Sequence, residues 1–201
     1  MKNATFGQAV KILSMVEQKE VPRDQLQKLL GSGLLSDLLD ADVDAIDRSV
    51  FRQAIGLVPL NVFNLTVDFN RSVEDGIKAG KYDWKSDGIT SEHFSSQETG
   101  MAEVAVELFH FSKDMETEGV LKEMEKKGYR PATLKELLAF GEKYPDLQRK
   151  FPIIAFGSVW QVPRGDRCCA CLDGYASTRA LFLGWVVDGW RGDCRFAAVR
   201  K

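Results

Sequence analysis

The sequence predicts an α+β protein, with a helical N-terminal segment followed by a mixed domain that ends in short strands. Three observations point there. Apolar residues recur with helical spacing through the first 57 or so positions, as in Phe6, Val10, Leu13 and Val16. The period then switches to two, because Phe63, Leu65, Val67 and Phe69 alternate with Asn64, Thr66 and Asp68. Finally, the last fifty residues change composition. Phe151 to Lys201 holds three of the four Trp and all four Cys, with no Glu and no Lys before the final residue. Lys and Glu are depleted from binding surfaces, where Trp, Tyr and Arg are enriched. That stretch is expected to serve both as packed β core and as a presented face, on alternate sides of the same strands.

In chain order, Thr5 is placed to cap a first helix, which Pro22 ends. Asp24 is expected to cap a second helix carrying Leu26, Leu29 and Leu30, interrupted by Gly31 and Gly33. Leu34, Leu35, Leu38 and Leu39 make a third. Asp42 is expected to open a fourth, with Ile46, Val50 and Ala54 inward, ending at Gly56. Residues 1–58 therefore predict a small helical bundle for oligomerisation or docking, and Val58-Pro59-Leu60-Asn61 marks the boundary to a second domain, 59–201. There Phe63 to Phe69 reads as a half-buried strand, Ser72 to Ala79 as a short helix in an otherwise polar stretch, and Glu103 to Phe111 as a second strand. Asp114 is expected to open a helix bearing Val120, Leu121 and Met124. Thr133-Leu134-Lys135-Glu136 is a capping box for the next, with Leu134, Leu137 and Leu138 inward. Four strands follow: Ile153 to Val162, Arg167 to Leu172, Thr178 to Val187 and Cys194 to Val199. Pro163 to Asp166, Asp173-Gly174 and Asp188-Gly189 are the turn signals between them.

Charge narrows the partners. Charged residues make up 28% of the chain and the formal net charge is −2, which gives neither nucleic acid nor anionic membrane a reason to bind. Asp24 to Ala41 could be read as a helix-turn-helix, but residues 1–57 carry seven basic against eight acidic side chains and so lack a phosphate-neutralising face. No run has the length of a transmembrane helix, and the N-terminus lacks the apolar core of a signal peptide, so a cytoplasmic protein is expected.

The second domain resembles a known family. The pieces that carry the likeness are Pro131-Ala132-Thr133-Leu134 before the strand Ile153-Ile154-Ala155, then Ser158-Val159-Trp160, Ser177-Thr178-Arg179, and Leu181, Leu183 and Trp185. The most specific piece is the ending Arg195-Phe196-Ala197-Ala198-Val199-Arg200-Lys201. These resemble the variable proteins of diversity-generating retroelements, whose C-terminal domain has a C-type-lectin-like fold of the formylglycine-generating-enzyme type. The resemblance spans about residues 60–201. It implies that a reverse transcriptase rewrites adenine positions in a hypervariable segment, about residues 165–194 here, while the scaffold holds those side chains toward solvent.

The implied function is ligand binding without catalysis, the partner being a protein or another macromolecule. The strand Thr178 to Trp185 divides accordingly. Arg179, Leu181, Leu183 and Trp185 read as scaffold, together with Trp160 and Phe196. Ala180, Phe182 and Gly184 read as displayed, although burial of both faces would also account for Phe182. The expected contact residues are Asp173, Tyr175, Phe182, Val186, Val187, Arg191 and Asp193.

Other chemistry is weaker. Cys168 and Cys171 have C-x-x-C spacing, but zinc needs a second paired knuckle and Cys194 stands alone. Cys169 and Cys171 share a strand face while Cys168 points away, so free thiols are favoured over a disulfide or a metal. The competing enzyme reading is a formylglycine-generating-type oxidase using Cys194 or Cys171, though no base partners either. A third reading makes residues 1–58 a regulatory or assembly module. His110 reads as structural and His93 lies in a polar loop. Arg-Gly-Asp occurs at 164–166 and 191–193, where Gly is expected to supply positive φ in a turn. The Asp residues of the last stretch are dispersed, which argues against calcium, and no cofactor is expected.

Overall fold

The computed structural model describes residues 5–42, 45–46, 51–52, 54–55, 61–186 and 189–201. The chain is mixed α+β and falls into two compact units, Met1–Phe51 and Arg52–Lys201.

The first unit holds helices α1 (Phe6–Gln18), α2 (Arg23–Gly31) and α3 (Leu34–Asp40). Thr5 caps α1 and forms a reciprocal capping box with Gln8. In α2 the cap position is taken by Pro22, and Asp24 sits in the first turn, where its charge faces the positive helix end. An Asp24 cap predicts a helix from residue 25; α2 starts two residues earlier, at Arg23, behind Pro22, whose ring holds φ at −58°. None of the three helices buries a residue. The apolar rows expected to turn inward are open, with Phe6 86%, Leu13 64% and Leu39 70% exposed. The helix predicted from Asp42 to Gly56 and the predicted boundary at Val58 to Leu60 fall largely outside the described residues.

The second unit is built on one sheet. Its strands are β1 (Val62–Asp68), β2 (Trp84–Lys85), β3 (Met101–Phe109), β5 (Tyr129–Pro131), β6 (Ile153–Gln161), β7 (Arg167–Tyr175), β8 (Thr178–Trp185) and β10 (Arg195–Arg200). The order is β1-β3-β10-β6-β7-β8-β2, with β5 also on β10. A separate small ladder joins β4 (Met115–Glu116) to β9 (Gly189–Trp190). The helices are α4 (Val73–Gly80), α5 (Thr117–Lys126) and α6 (Leu134–Lys143).

The sequence predicts a C-terminal antiparallel sheet made of the last four strands. Instead the last strand, β10, enters the middle of the single sheet, antiparallel to β3 and parallel to β6. Its Phe196-Ala197-Ala198-Val199 run is buried on both faces, which only a central position satisfies. The β2 strand lies parallel to β8 in a stretch the sequence leaves without a strand.

Two apolar cores cover the sheet's two faces. On one, Leu65, Val67, Ile153, Leu172, Leu181 and Ala197 pack with α4 and α6. On the other, Ile154, Phe156, Cys169, Cys171 and Phe196 pack with Val120 and Met124 of α5 and with Trp190. Ile153 to Phe156 is a continuous apolar run because successive side chains enter opposite cores.

Thr133 and Glu136 form the capping box on α6, and Ser72 caps α4. Asp114 does not cap α5, which begins after Glu116. Its Oδ1 accepts the Gly192 N–H at 3.0 Å instead. Asp173-Gly174 is no turn, since both continue β7, and the hairpin closes at Ala176-Ser177 between the paired Tyr175 and Thr178. Glycine is needed at 174 for another reason. A Cβ there would lie 2.8 Å from the Thr178 carbonyl oxygen and 3.1 Å from the Arg149 Cα. At Gly165 the predicted positive φ is present, at +96°. Gly192 lacks it, and its small size admits the Lys113 backbone instead, which a Cβ would meet at 2.8 Å.

Candidate ligand-binding face

Strands β7 and β8 pair from Cys168↔Trp185 to Tyr175↔Thr178, which sets Phe182 opposite Cys171 and Ala180 opposite Asp173. Alternation then sorts β8. Leu181 is fully buried in the first core and Arg179 is 6% exposed beneath it, while Ala180 and Phe182 are half-buried on the other side. On that side Trp84 of β2 lies beside Ala180.

Two adjoining depressions result. The first, of ≈ 450 Å³, is lined by Trp84, Asp173, Tyr175, Thr178, Ala180 and Phe182. Trp84 is 57% and Tyr175 85% exposed, so two aromatic rings stand open at its rim. The second, of ≈ 260 Å³, is lined by Pro152, Ile154, Gly189, Trp190, Arg191 and Cys194, and again by Asp173 and Phe182. Those last two residues form the shared wall.

Of the seven predicted contact residues, four meet here: Asp173, Tyr175, Phe182 and Arg191. Asp173 Oδ1 accepts its neighbour Gly174's N–H at 2.8 Å, and its carbonyl accepts Gln148 Nε2 at 2.6 Å, which fixes the backbone under the face. Arg191 pairs with Asp193 through Nε–Oδ1 at 3.1 Å and Nη2–Oδ2 at 2.9 Å. Asp193 lines neither depression; it orients Arg191 and raises the pKa of that guanidinium further. Val186 lines neither depression; it is half-buried against the second core, donates its N–H to the Arg167 carbonyl at 2.8 Å and accepts Thr117 Oγ1 at 2.6 Å on its carbonyl. Val187 lies outside the described residues.

The scaffold assignments also need revision. Trp185 is 46% exposed rather than buried. Gly184, predicted as displayed, is covered, because a Cβ there would sit 2.8 Å from the Trp190 ring and 3.0 Å from Cys171 Sγ. The open face thus covers only the hairpin end of β8; toward Gly184 the second core closes over it. Phe182 stands at the border, half-buried against that core and yet lining both depressions. Trp160 is half-buried and stacks on His93, ring centres 3.9 Å apart and planes 8° from parallel.

All four cysteines are buried and free. Burial pushes the Cys171 thiol well up, and burial followed by the Asp193 charge pushes Cys194 up to about 11. Both thiols hold their protons at neutral pH, the opposite of a nucleophilic thiolate. Among the described residues no three His, Cys, Asp or Glu side chains stand together to hold a metal ion. No helix among them is long and apolar enough to cross a membrane.

Sequence reasoning missed Trp84. It lies outside the last fifty residues in a polar stretch without period, and only its pairing with β8 brings it to the face. A lone Trp flanked by Asp83 and Lys85 was the available signal, since exposed Trp is concentrated at binding surfaces.

Comparison of the chain with family models, with curated proteins and with solved structures yields no significant match.

Proposed function

We propose that the chain is a non-catalytic ligand-binding protein that displays a diversified surface on a C-type-lectin-like scaffold, of the kind a retroelement reverse transcriptase diversifies. The observation that carries this reading is the meeting of Asp173, Tyr175, Phe182 and Arg191 around two adjoining depressions, although they lie up to eighteen positions apart in the sequence. Trp84 adds a ring from outside the 165–194 segment, giving a constant platform beside changeable side chains. The scaffold reading is supported by the path of the chain. One strand, β3, precedes a helix pair; three antiparallel strands, β6 to β8, follow; and the terminal strand returns to pair with β3. The ligand is a protein or other macromolecule, because the depressions are shallow and Trp, Tyr and Arg supply most contact energy at such surfaces. The chain acts in the cytoplasm, needs no cofactor, and engages neither nucleic acid nor membrane.

The deciding experiment is sequencing of this gene from sibling cells. Substitutions concentrated in codons 165–194, above all at 173, 175, 182 and 191, are expected. Substitutions spread evenly along the chain would sink the retroelement reading. The oxidase alternative is checked separately, by assaying copper-dependent oxidation of a cysteine-containing peptide before and after alkylation of the thiols. No turnover is expected.

A further inference from the structure

The seven-residue β1 is the terminal strand on one side of the sheet, with β3 as its paired neighbour among the described residues. On its inner side β1 pairs with β3 through odd-numbered positions. Asn61 accepts from Leu108 N–H at 2.8 Å and Phe69 donates to Gly100 at 2.8 Å. The alternation of an antiparallel ladder therefore turns the N–H and C=O of Asn64, Thr66 and Asp68 outward. The Asn64 carbonyl shows this directly, since it accepts Lys143 Nζ and Tyr144 Oη, each at 3.1 Å. Beyond it the edge is open at Thr66. There it borders a groove of ≈ 530 Å³ whose floor is Leu65, Val67 and Leu138 and whose far wall is α6.

The charged side chains lining the groove are Arg71, Lys135 and Lys143 against Asp68 and Glu142, a balance of one positive charge. Arg71 is neutralised by Glu142 at 2.5 Å. Lys135 and Lys143 instead donate to the main-chain carbonyls of Phe69 and Asn64. Among the described residues neither lysine meets a carboxylate. Eight positions apart on one helix, they stand about 12 Å apart along its axis. An extended chain covers about 13 Å in four residues, and positions four apart share a face.

We propose that this groove binds an extended acidic peptide segment, which adds to β1 as a further strand through the Thr66 N–H and C=O. Acidic side chains four residues apart replace the two carbonyls as partners of Lys135 and Lys143. Main-chain bonds give such a site its affinity and the side-chain pockets its selectivity. The site is separate from the face on β7 and β8, so it stands whether or not that face is diversified.

The test is fluorescence anisotropy of the full chain with a labelled Asp-Val-Thr-Val-Asp peptide, and with Lys-Val-Thr-Val-Lys as the reversed-charge probe. Saturable binding of the acidic peptide alone is expected. Thr66→Pro removes the outward N–H but none of the main-chain β1–β3 bonds and should weaken binding at least tenfold, while Thr66→Val, which equally loses the Thr66 Oγ1 bond to Glu103 of β3, should leave it within twofold. The double variant K135E/K143E lies outside the ladder and should transfer the preference to the basic peptide. Absence of saturable binding to the wild type would overturn the proposal. So would a folded Thr66→Pro protein that binds like wild type, or a double variant with unchanged preference.

Discussion

Arg179 and Gln148 meet in the interior of the second unit, the guanidinium donating to Gln148 Oε1 from Nε at 3.2 Å and from Nη2 at 3.0 Å. The same guanidinium donates to the Gly80 and Gly141 carbonyls, each at 2.6 Å, and its Cζ lies 4.9 Å from the centre of the Tyr82 ring. Burial lowers the Arg179 pKa, yet an arginine remains charged. One side chain thus ties the ends of α4 and α6 and the turn at 147–149 to the back of β8, directly behind Ala180 and Phe182. Gln148 completes the link by bonding the Asp173 and Ala180 carbonyls, at 2.6 and 3.1 Å.

Arg179→Lys is therefore expected to cost about 3 kcal/mol. Lysine keeps the charge but lacks the planar fork, and it leaves buried carbonyls unpaired. Urea unfolding followed by circular dichroism checks this, and an unchanged midpoint would remove Arg179 from its structural role.

Display and scaffold should separate under mutation within a single hairpin. Tyr175→Ala removes an 85% exposed ring and should change stability by less than about 0.5 kcal/mol. Gly184→Ala drives a methyl into Trp190 and Cys171 and should cost at least about 2 kcal/mol. A saturation library across 165–194, sorted for folded protein, should accept many residues at 173, 175 and 191 and few at 184. Uniform tolerance along the hairpin would contradict the division.

The hairpin's turn carries a removable strain. Ala176 holds φ +52°, in the left-handed region that costs an L residue about 1–2 kcal/mol. Ala176→Gly relieves it and gives back part of the gain as unfolded-chain entropy. A net stabilisation of about 0.5–1 kcal/mol is expected in the same urea experiment.

Period changes along the chain reveal only where elements lie. The capping box at Thr133 and the alternation of Phe63 to Phe69 are local, and both are found as read. Strand order is not local. The path of β10 into the sheet centre depends on pairings with residues 109 and 154, which no window of sequence contains. The same limit hid Trp84 and misassigned Trp185. Asp173-Gly174 was misread because turn chemistry and close packing both select glycine, and the 147–149 turn that demands it at 174 lies far away in the chain. Alternation and residue type single out Asp173, Tyr175, Phe182 and Arg191, and the fold brings these four around the two depressions. Val186 lies apart from them, its backbone bonded to Thr117 and Arg167 from distant parts of the chain.

The thiols give a pH dependence with a definite sign. Cys194 is raised from 9.0 to about 11 in the folded chain, with Cys171 shifted the same way, both first of all by burial. Between those values the unfolded chain has released protons that the folded chain still holds. Stability is thus complete below pH 9 and falls as pH rises toward 11. Melting temperatures measured across that window should decline less steeply for Cys194→Ala than for wild type. A colorimetric thiol reagent should find none of the four cysteines before unfolding and all of them after it.

The N-terminal helices carry an exposed apolar stripe. Phe6, Val10 and Leu13 repeat on one face of α1, and all three are exposed. A helix of thirteen residues is marginal alone in water, and its stability comes from covering such a stripe. Of the oligomerisation and docking roles expected for this unit, self-association would cover the stripe with the same stripe of another copy. Acidic and basic side chains are mixed along α1 to α3, so two copies meet without a large like-charge penalty. Sedimentation velocity should show a concentration-dependent mass above the 22.5 kDa of the single chain. Leu13→Glu places a charge in the middle of the stripe and should return the protein to that mass, with the melting of the second unit unchanged. A wild-type chain that sediments at 22.5 kDa at every concentration would remove self-association from the account and leave α1 to a different partner.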